Sequence, residues 1–138
     1  MRTLFNDQEQ RTLHAALDRL IPADDYPGAW EAGCGDYIER QLSGQLSHLA
    51  DLYHAGLQGI ETEARAEYAR GFEDLSAEQQ DALLARVELG DVRADWPTPP
   101  AKFFAAFVNH AAEGYYADPA QGGNRDRVSW RMVGFNGR

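Results

Sequence analysis

Cysteine is almost absent from this chain. Cys34 is the only cysteine in 138 residues, so no intrachain disulfide can form and the framework of a small disulfide-rich domain is excluded. One cysteine and four scattered histidines also offer no zinc-binding pattern. Cys34 stands between Gly33 and Gly35, where we predict a half-buried residue in a tight turn. The alternative is a reactive thiolate, which the start of a helix would favour.

Basic charge and long apolar runs are also scarce. The chain has 13 Lys and Arg against 22 Asp and Glu, a net charge of −9, which argues against nucleic acid as a partner because phosphate binding needs a basic face. No stretch approaches the ~18 apolar residues of a spanning helix, so we expect no direct membrane insertion. No apolar run follows a basic start, and the sequence as it stands predicts a cytoplasmic protein.

The sequence also lacks β patterning, apart from a short alternation near the C-terminus. Apolar residues at spacings of three and four instead predict an all-α protein, a single compact bundle of about five helices. We expect one helical domain over residues 1–138, ending in an extended, irregular C-terminal strap over about residues 117–138. Capping boxes mark the first and fourth helix starts, at Asn6 with Glu9 and at Ser76 with Gln79. The helices are expected from Asn6 to Pro22, Asp36 to Leu42, Ser47 to Arg70, Ser76 to Gly90 and Pro100 to Tyr116.

Two features predict how the helices pack. Gly56 lies on the apolar face of the third helix, where glycine costs roughly 1 kcal/mol relative to alanine. We therefore expect another backbone to approach closely at Gly56, as a second helix crosses there. Trp96 lies in the proline-rich linker before the fifth helix. It either covers the core or marks a contact surface, and we favour the position over the core. The fifth helix should be central because it is the most apolar, with Phe103, Phe104, Phe107, Val108, Ala111 and Ala112.

Catalytic and cofactor-binding motifs are missing from the sequence. There is no Gly-x-Ser-x-Gly elbow and no phosphate loop. His110 and Glu113 could share a helical face, but the di-iron order is reversed and has no second copy, so His110 is expected to be a hydrogen-bonded core or rim residue. Gly122-Gly123-Asn124 could form an anion cradle, although a tight turn is the main alternative. By its residues alone, the chain predicts a non-enzymatic domain without a catalytic, cofactor-binding or metal site.

The C-terminal segment is rich in aromatic residues and arginine, which makes it too apolar for a disordered tail. These residue types anchor protein–protein interfaces, so we predict a partner interface here. The alternative is a strap that closes the domain's own core, and the two uses can combine, with some side chains inward and others on a partner. The predicted interface residues are Tyr115, Tyr116, Asp118, Pro119, Gly122, Gly123, Asn124, Arg125, Trp130, Arg131 and Phe135.

Three blocks spread over the chain form a recognisable pattern. The opening block holds Leu20-Ile21-Pro22-Ala23-Asp24-Asp25, and the middle block holds Phe72, Leu75-Ser76 and Gln79-Gln80. The closing block holds Glu113-Gly114-Tyr115-Tyr116-Ala117-Asp118-Pro119, Gly122-Gly123-Asn124-Arg125-Asp126 and Trp130-Arg131-Met132-Val133-Gly134-Phe135. Together these blocks resemble the gluconate 2-dehydrogenase subunit 3 family over nearly the whole chain.

The resemblance implies a non-catalytic small subunit of a bacterial sugar or sugar-acid dehydrogenase. The large partner would be a flavoprotein of the glucose–methanol–choline type that holds FAD, and no cofactor is expected in this chain. In some such complexes a cytochrome c subunit takes the electrons. Related sugar 3-dehydrogenases use a similar subunit, so gluconate need not be the substrate. Small subunits of this kind often carry a twin-arginine leader, and a periplasmic location is the alternative if a leader precedes this sequence.

Two other functions stay open at this point. The chain could be a transient chaperone or adaptor that releases the flavoprotein after maturation or export. It could also be a stand-alone helical metal or cofactor protein, in which case the purified chain would contain a bound metal or chromophore.

Overall fold

The computed structural model describes residues 4–23 and 26–116, and helices dominate this part of the chain. Five α-helices pack into a bundle and no β-strand occurs among these residues, so the all-α prediction is confirmed. None of the described helices combines the length and the hydropathy needed to cross a lipid bilayer. The strap predicted for residues 117–138 lies outside the described residues. The helices are α1 (Asp7–Leu20), α2 (Cys34–Leu42), α3 (Ala50–Tyr68), α4 (Ala77–Leu89) and α5 (Pro100–Tyr116).

Both predicted capping boxes are present. The Asn6 side chain accepts a hydrogen bond from the N–H of Glu9 at 2.7 Å, and the Glu9 carboxylate accepts one from the N–H of Asn6 at 3.0 Å. Ser76 and Gln79 make the same reciprocal pair before α4, at 3.1 and 3.0 Å. These bonds satisfy N–H groups that the first turn of a helix leaves without a partner, which explains where α1 and α4 begin.

The starts of α2 and α3 differ from the predicted ones. Gly33 adopts a φ of 97°, which glycine tolerates, and this lets α2 begin at Cys34 rather than at Asp36. A separate 3-10 turn occupies Ser47–Leu49, so α3 begins at Ala50. In this tighter turn, N–H groups bond to carbonyls three residues back rather than four, as the N–H of Leu49 does to the carbonyl of Leu46.

α5 is the central helix, as its composition predicts. It packs against each of α1 to α4. Phe103 and Phe107 are completely buried and their rings stack with centroids 5.5 Å apart, while the Tyr53 ring of α3 meets both edge-on. Val108 and Ala112 belong to the same apolar set in the sequence but are exposed, because a residue five positions after Phe103 is rotated about 140° around the helix.

Where α3 and α5 meet at Gly56, the contact is with an aromatic ring. A Cβ atom at Gly56 would lie 2.2 Å from Cδ1 of Phe103. The predicted close approach is confirmed, but the prediction that a backbone approaches is wrong, because the Phe103 ring fills the space. At Gly59, a Cβ atom would lie 2.6 Å from Cε2 of Trp96, whose indole packs on the core. Trp96 therefore covers the core, as predicted.

Gly56→Ala should lower the free energy of unfolding by about 1–3 kcal/mol, because the added methyl group must displace the Phe103 ring in a filled core. Urea unfolding followed by circular dichroism measures this loss. Gly44→Ala is the matched control, since its Cβ atom would lie an ordinary 3.5 Å from the Arg40 carbonyl oxygen. An unchanged midpoint for Gly56→Ala would show that displacing the ring costs no more than the roughly 1 kcal/mol that alanine gains over glycine in a helix.

Candidate partner interface

One buried carboxylate joins α3 to the linker that precedes α5. Glu63 is 1% exposed and accepts hydrogen bonds from the backbone N–H of Arg93 at 3.0 Å, the N–H of Ala94 at 2.6 Å and the indole N–H of Trp96 at 3.2 Å. The Arg86 guanidinium lies 3.4 Å away. Burial by itself would raise the pKa of Glu63, but these donors and the Arg86 charge outweigh burial and hold the pKa below its ordinary value of 4.5.

Two further buried glutamates bind neighbouring segments in the same way. Glu9 is 3% exposed, and its Oε2 lies 2.7 Å from Nδ1 of His54 and 3.0 Å from Nε2 of Gln58. Burial tends to raise the pKa of Glu9, yet the hydrogen bonds prevail and lower it. Glu61 accepts the N–H of Phe72 at 3.0 Å. The oxygens of all three carboxylates therefore serve as acceptors for groups that hold the fold together.

The sequence interpretation missed Glu63, although one signal was available. Glu63 follows Gly56 by seven positions and Ile60 by three, which places it on the buried stripe of α3. A charged residue on such a stripe needs a partner. Local spacing cannot identify that partner, because the donors lie 30 to 33 residues further along the chain.

His110 is a hydrogen-bonded residue at the edge of the core, as predicted. Its Nδ1 lies 2.6 Å from the Tyr53 hydroxyl, and the two rings stack at 5.7 Å. Burial lowers the pKa of His110, although the charge of Glu113 opposes this, and burial with the same charge raises the pKa of Tyr53. Within the described residues, no group of three or more His, Cys, Asp or Glu side chains could hold a metal ion.

The alternative of a reactive thiolate at Cys34 is wrong. Cys34 is completely buried, and its Sγ lies 3.5 Å from the carbonyl oxygen of Ala111. Burial raises the pKa of the thiol to about 12, and the charge of Asp18 acts in the same direction. The residue is fully buried rather than half-buried because α5 packs against α2.

The two tyrosines that end α5 differ in exposure. Tyr115 is 2% exposed and its hydroxyl donates to the carbonyl of Pro27 at 2.9 Å, which places it in the core of this domain. Tyr116 is 55% exposed, and its ring meets the Tyr115 ring edge-on. Among the predicted interface residues that are described, Tyr116 alone is open to a partner. The others lie outside the described residues and stay a prediction: Asp118, Pro119, Gly122, Gly123, Asn124, Arg125, Trp130, Arg131 and Phe135.

An apolar stripe runs along the outside of α5 and ends at Tyr116. Its residues follow one another at spacings of four and three, which keeps them on one face of the helix, and each is exposed. Such a stripe on the most apolar helix of a bundle differs from the charged surface that an outward helix face normally carries. The residues are Ala101, Ala105, Val108, Ala112 and Tyr116.

A shallow groove of about 230 Å³ lies along this stripe, between α5 and the end of α4. Phe104, which is 7% exposed, is one of its lining residues. Leu89, which follows the lining residue Glu88, is 80% exposed. Exposed apolar surface of this kind marks interaction sites when it is contiguous. We define the α5 groove by its lining residues, which are Glu88, Ala101, Phe104, Ala105, Val108 and Asn109.

The charge of Glu63 should make the free energy of unfolding depend on pH. Its pKa is lower in the folded chain than the ordinary 4.5, so the unfolded chain binds more protons between the two values and stability rises with pH in that range. The stabilisation is present above the unfolded pKa and is lost as the pH falls through the folded pKa. Glu63→Gln should therefore flatten this acid decline. It should also cost about 1–3 kcal/mol at neutral pH, since an amide NH₂ would face N–H donors.

Urea titrations at a series of pH values measure both effects. Glu31→Gln, which changes an exposed glutamate between α1 and α2, is the control and should stay within about 0.5 kcal/mol of the parent. Parallel acid declines for the parent chain and Glu63→Gln would contradict the role assigned to the Glu63 charge.

Comparison with family models connects this fold to known proteins. The model for gluconate 2-dehydrogenase subunit 3 matches residues 7–137. No curated protein and no solved structure matched the chain. The matched range contains all five helices and the whole of the closing block, so it confirms the resemblance seen in the sequence. The chain belongs to the gluconate 2-dehydrogenase subunit 3 family.

Proposed function

We propose that this chain is the non-catalytic small subunit of an FAD-dependent sugar or sugar-acid dehydrogenase, and that it binds and stabilises the large flavoprotein subunit. The observation that carries the proposal is the family match over residues 7–137, because the family is named as one subunit of a dehydrogenase. In this proposal the large subunit is of the glucose–methanol–choline type and holds the FAD. A cytochrome c subunit is a third component in some complexes.

The chemistry of the buried polar residues supports a structural role for this chain. Glu9, Glu61 and Glu63 use their oxygens to accept N–H groups that join helices and linkers. The thiol of Cys34 has its pKa raised to about 12 and lies in the core, where it is a poor nucleophile. In this proposal the FAD of the large subunit oxidises the sugar.

The outer face of α5 supports a docking role near its C-terminal end. Tyr116 is an exposed aromatic residue at the end of an apolar stripe, and tyrosine is a frequent anchor of protein–protein interfaces. We therefore propose that the large subunit contacts this end of the bundle.

Co-expression tests the proposed stabilisation of the large subunit. The large subunit can be identified by pull-down from the native host and then produced with and without this chain. Alone, it should be insoluble or poor in FAD, because the surface that this chain covers would be exposed. With the chain, soluble yield and flavin absorbance should recover. Equal yield and equal dehydrogenase activity in both preparations would exclude the proposal.

The lifetime of the pair separates a permanent subunit from a transient chaperone or adaptor. Gel filtration of the active enzyme should show both chains in one peak. An active large subunit that elutes alone would favour the transient alternative. Elemental analysis and an absorption spectrum of this chain by itself test the stand-alone metal or cofactor protein, which requires a bound metal or chromophore.

Tyr116→Ala should weaken binding to the large subunit by about 1–2 kcal/mol, a rise of roughly five- to thirtyfold in Kd, because it removes an exposed aromatic anchor. Calorimetric titration measures this change. Tyr115→Phe is the matched control: it removes the hydrogen bond to Pro27 and should lower stability by about 1 kcal/mol while leaving Kd unchanged. The same Kd for Tyr116→Ala and the parent would remove Tyr116 from the interface.

A further inference from the structure

Residues 4–23 and 26–116 leave the α5 groove open to solvent along the apolar stripe. Val108, one of its lining residues, is 39% exposed, and the lining is mostly apolar, with Glu88 and Asn109 as its polar residues. The stripe continues to Tyr116, the last described residue. The groove and Tyr116 therefore lie on the same face of α5.

The residues that follow have the pattern of an extended segment with one apolar side. Val128, Trp130 and Met132 alternate with Arg127, Ser129 and Arg131. In an extended chain, alternate side chains point to opposite sides, so one side would be apolar and the other basic and polar. A segment of this kind can cover an apolar groove with one side and leave the other side in solvent.

The chain is long enough to return from Tyr116 to the groove. The groove lies about 10 to 22 Å back along the axis of α5, at 1.5 Å per residue. The twelve residues from Tyr116 to Val128 can span about 40 Å when extended. They include Asp118-Pro119 and Gly122-Gly123, residue types that form chain reversals.

Charge favours contact between the C-terminal segment and the bundle. Residues 117–138 hold four arginines and two aspartates, whereas the rest of the chain holds nine basic and twenty acidic residues. The segment is thus net positive and the bundle strongly negative. Glu88 is one of the residues that line the groove, where it adds negative potential.

We propose that residues 128–132 of this chain dock in the α5 groove, with Val128, Trp130 and Met132 on Phe104 and Val108. Arg127 and Arg131 then face outward. The docking is a property of the single chain and goes beyond the proposed binding of the large subunit. If that binding is also correct, the docked segment presents its basic side to the large subunit.

Thiol labelling of the full-length chain tests this docking. Val108→Cys places a reactive thiol in the groove, while Cys34 is buried with its pKa raised to about 12 and adds little background. Thr62→Cys, at an exposed position in the middle of α3, gives the rate of an uncovered thiol. The Val108→Cys thiol should react with maleimide at least about tenfold more slowly, as expected for a site that opens only when the docked segment leaves.

A second substitution identifies the segment that protects the thiol. Trp130→Asp should raise the labelling rate of Val108→Cys about tenfold, because a carboxylate cannot occupy the apolar groove. Ser129→Asp, on the opposite side of the alternation, is the matched control and should leave the rate unchanged. Met132→Asp replaces Trp130→Asp if circular dichroism shows a loss of helix in that variant.

Three results would overturn the proposal. The first is a labelling rate that neither Trp130→Asp nor Met132→Asp raises. The second is protection that grows with protein concentration, which assigns the groove to a second copy of the chain. The third is protection that appears only when the large subunit is added, which assigns the groove to that subunit and leaves the proposed function standing. A chain that does not bind the large subunit, but whose Val108→Cys thiol is still protected, would instead contradict the proposed function alone.

Discussion

The carboxylate of Glu63 determines how α5 is placed on α3. By accepting two backbone N–H groups of the linker and the indole N–H of Trp96, it holds the linker against α3. Trp96 then covers Gly59, and the ring of Phe103 fills the space at Gly56. The two glycines and the glutamate lie on one side of α3, so a single helix face determines both the height and the rotation of α5. That rotation in turn puts the apolar stripe, the α5 groove and the last tyrosine on one side of the bundle.

A buried carboxylate at this position is costly unless its donors are complete. Removing one ion from water costs several kcal/mol in a protein interior, and only good hydrogen-bond geometry offsets that cost. Glu63 has four N–H partners within 3.4 Å, which accounts for its lowered pKa. An apolar side chain could fill the same volume, but the two partly buried linker N–H groups would then lose their acceptor. The charge of Glu63 is therefore explained by its hydrogen bonds to the linker.

Most of the helical architecture was predictable because its signals are local. Capping boxes and apolar spacing depend on residues within one or two turns, and the family blocks are long enough to be specific. Gly56 predicted a close approach between α3 and another element. The spacing of residues in the sequence cannot show whether a ring or a backbone fills the space, since that depends on the rotation of α5. Tyr115 and Tyr116 are the same residue type one position apart. Only the rotation of about 100° per residue around the helix axis places Tyr115 in the core and Tyr116 at the surface. The donors of Glu63 come from a distant linker, which no local pattern reveals.

Two attractions of different range act on the C-terminal segment under the docking proposed here. Its net positive charge faces an acidic bundle, but at physiological ionic strength exposed charges are screened beyond about 8 Å and an exposed ion pair contributes about 0–1 kcal/mol. Full burial of one large apolar side chain contributes about 1.5–3 kcal/mol. Charge can therefore bring the segment near the bundle without selecting a position, and the position depends on where Trp130 finds apolar surface. The α5 groove offers that surface close to Tyr116. Under the same proposal Arg131 stays outside, where its planar guanidinium can pair with a carboxylate.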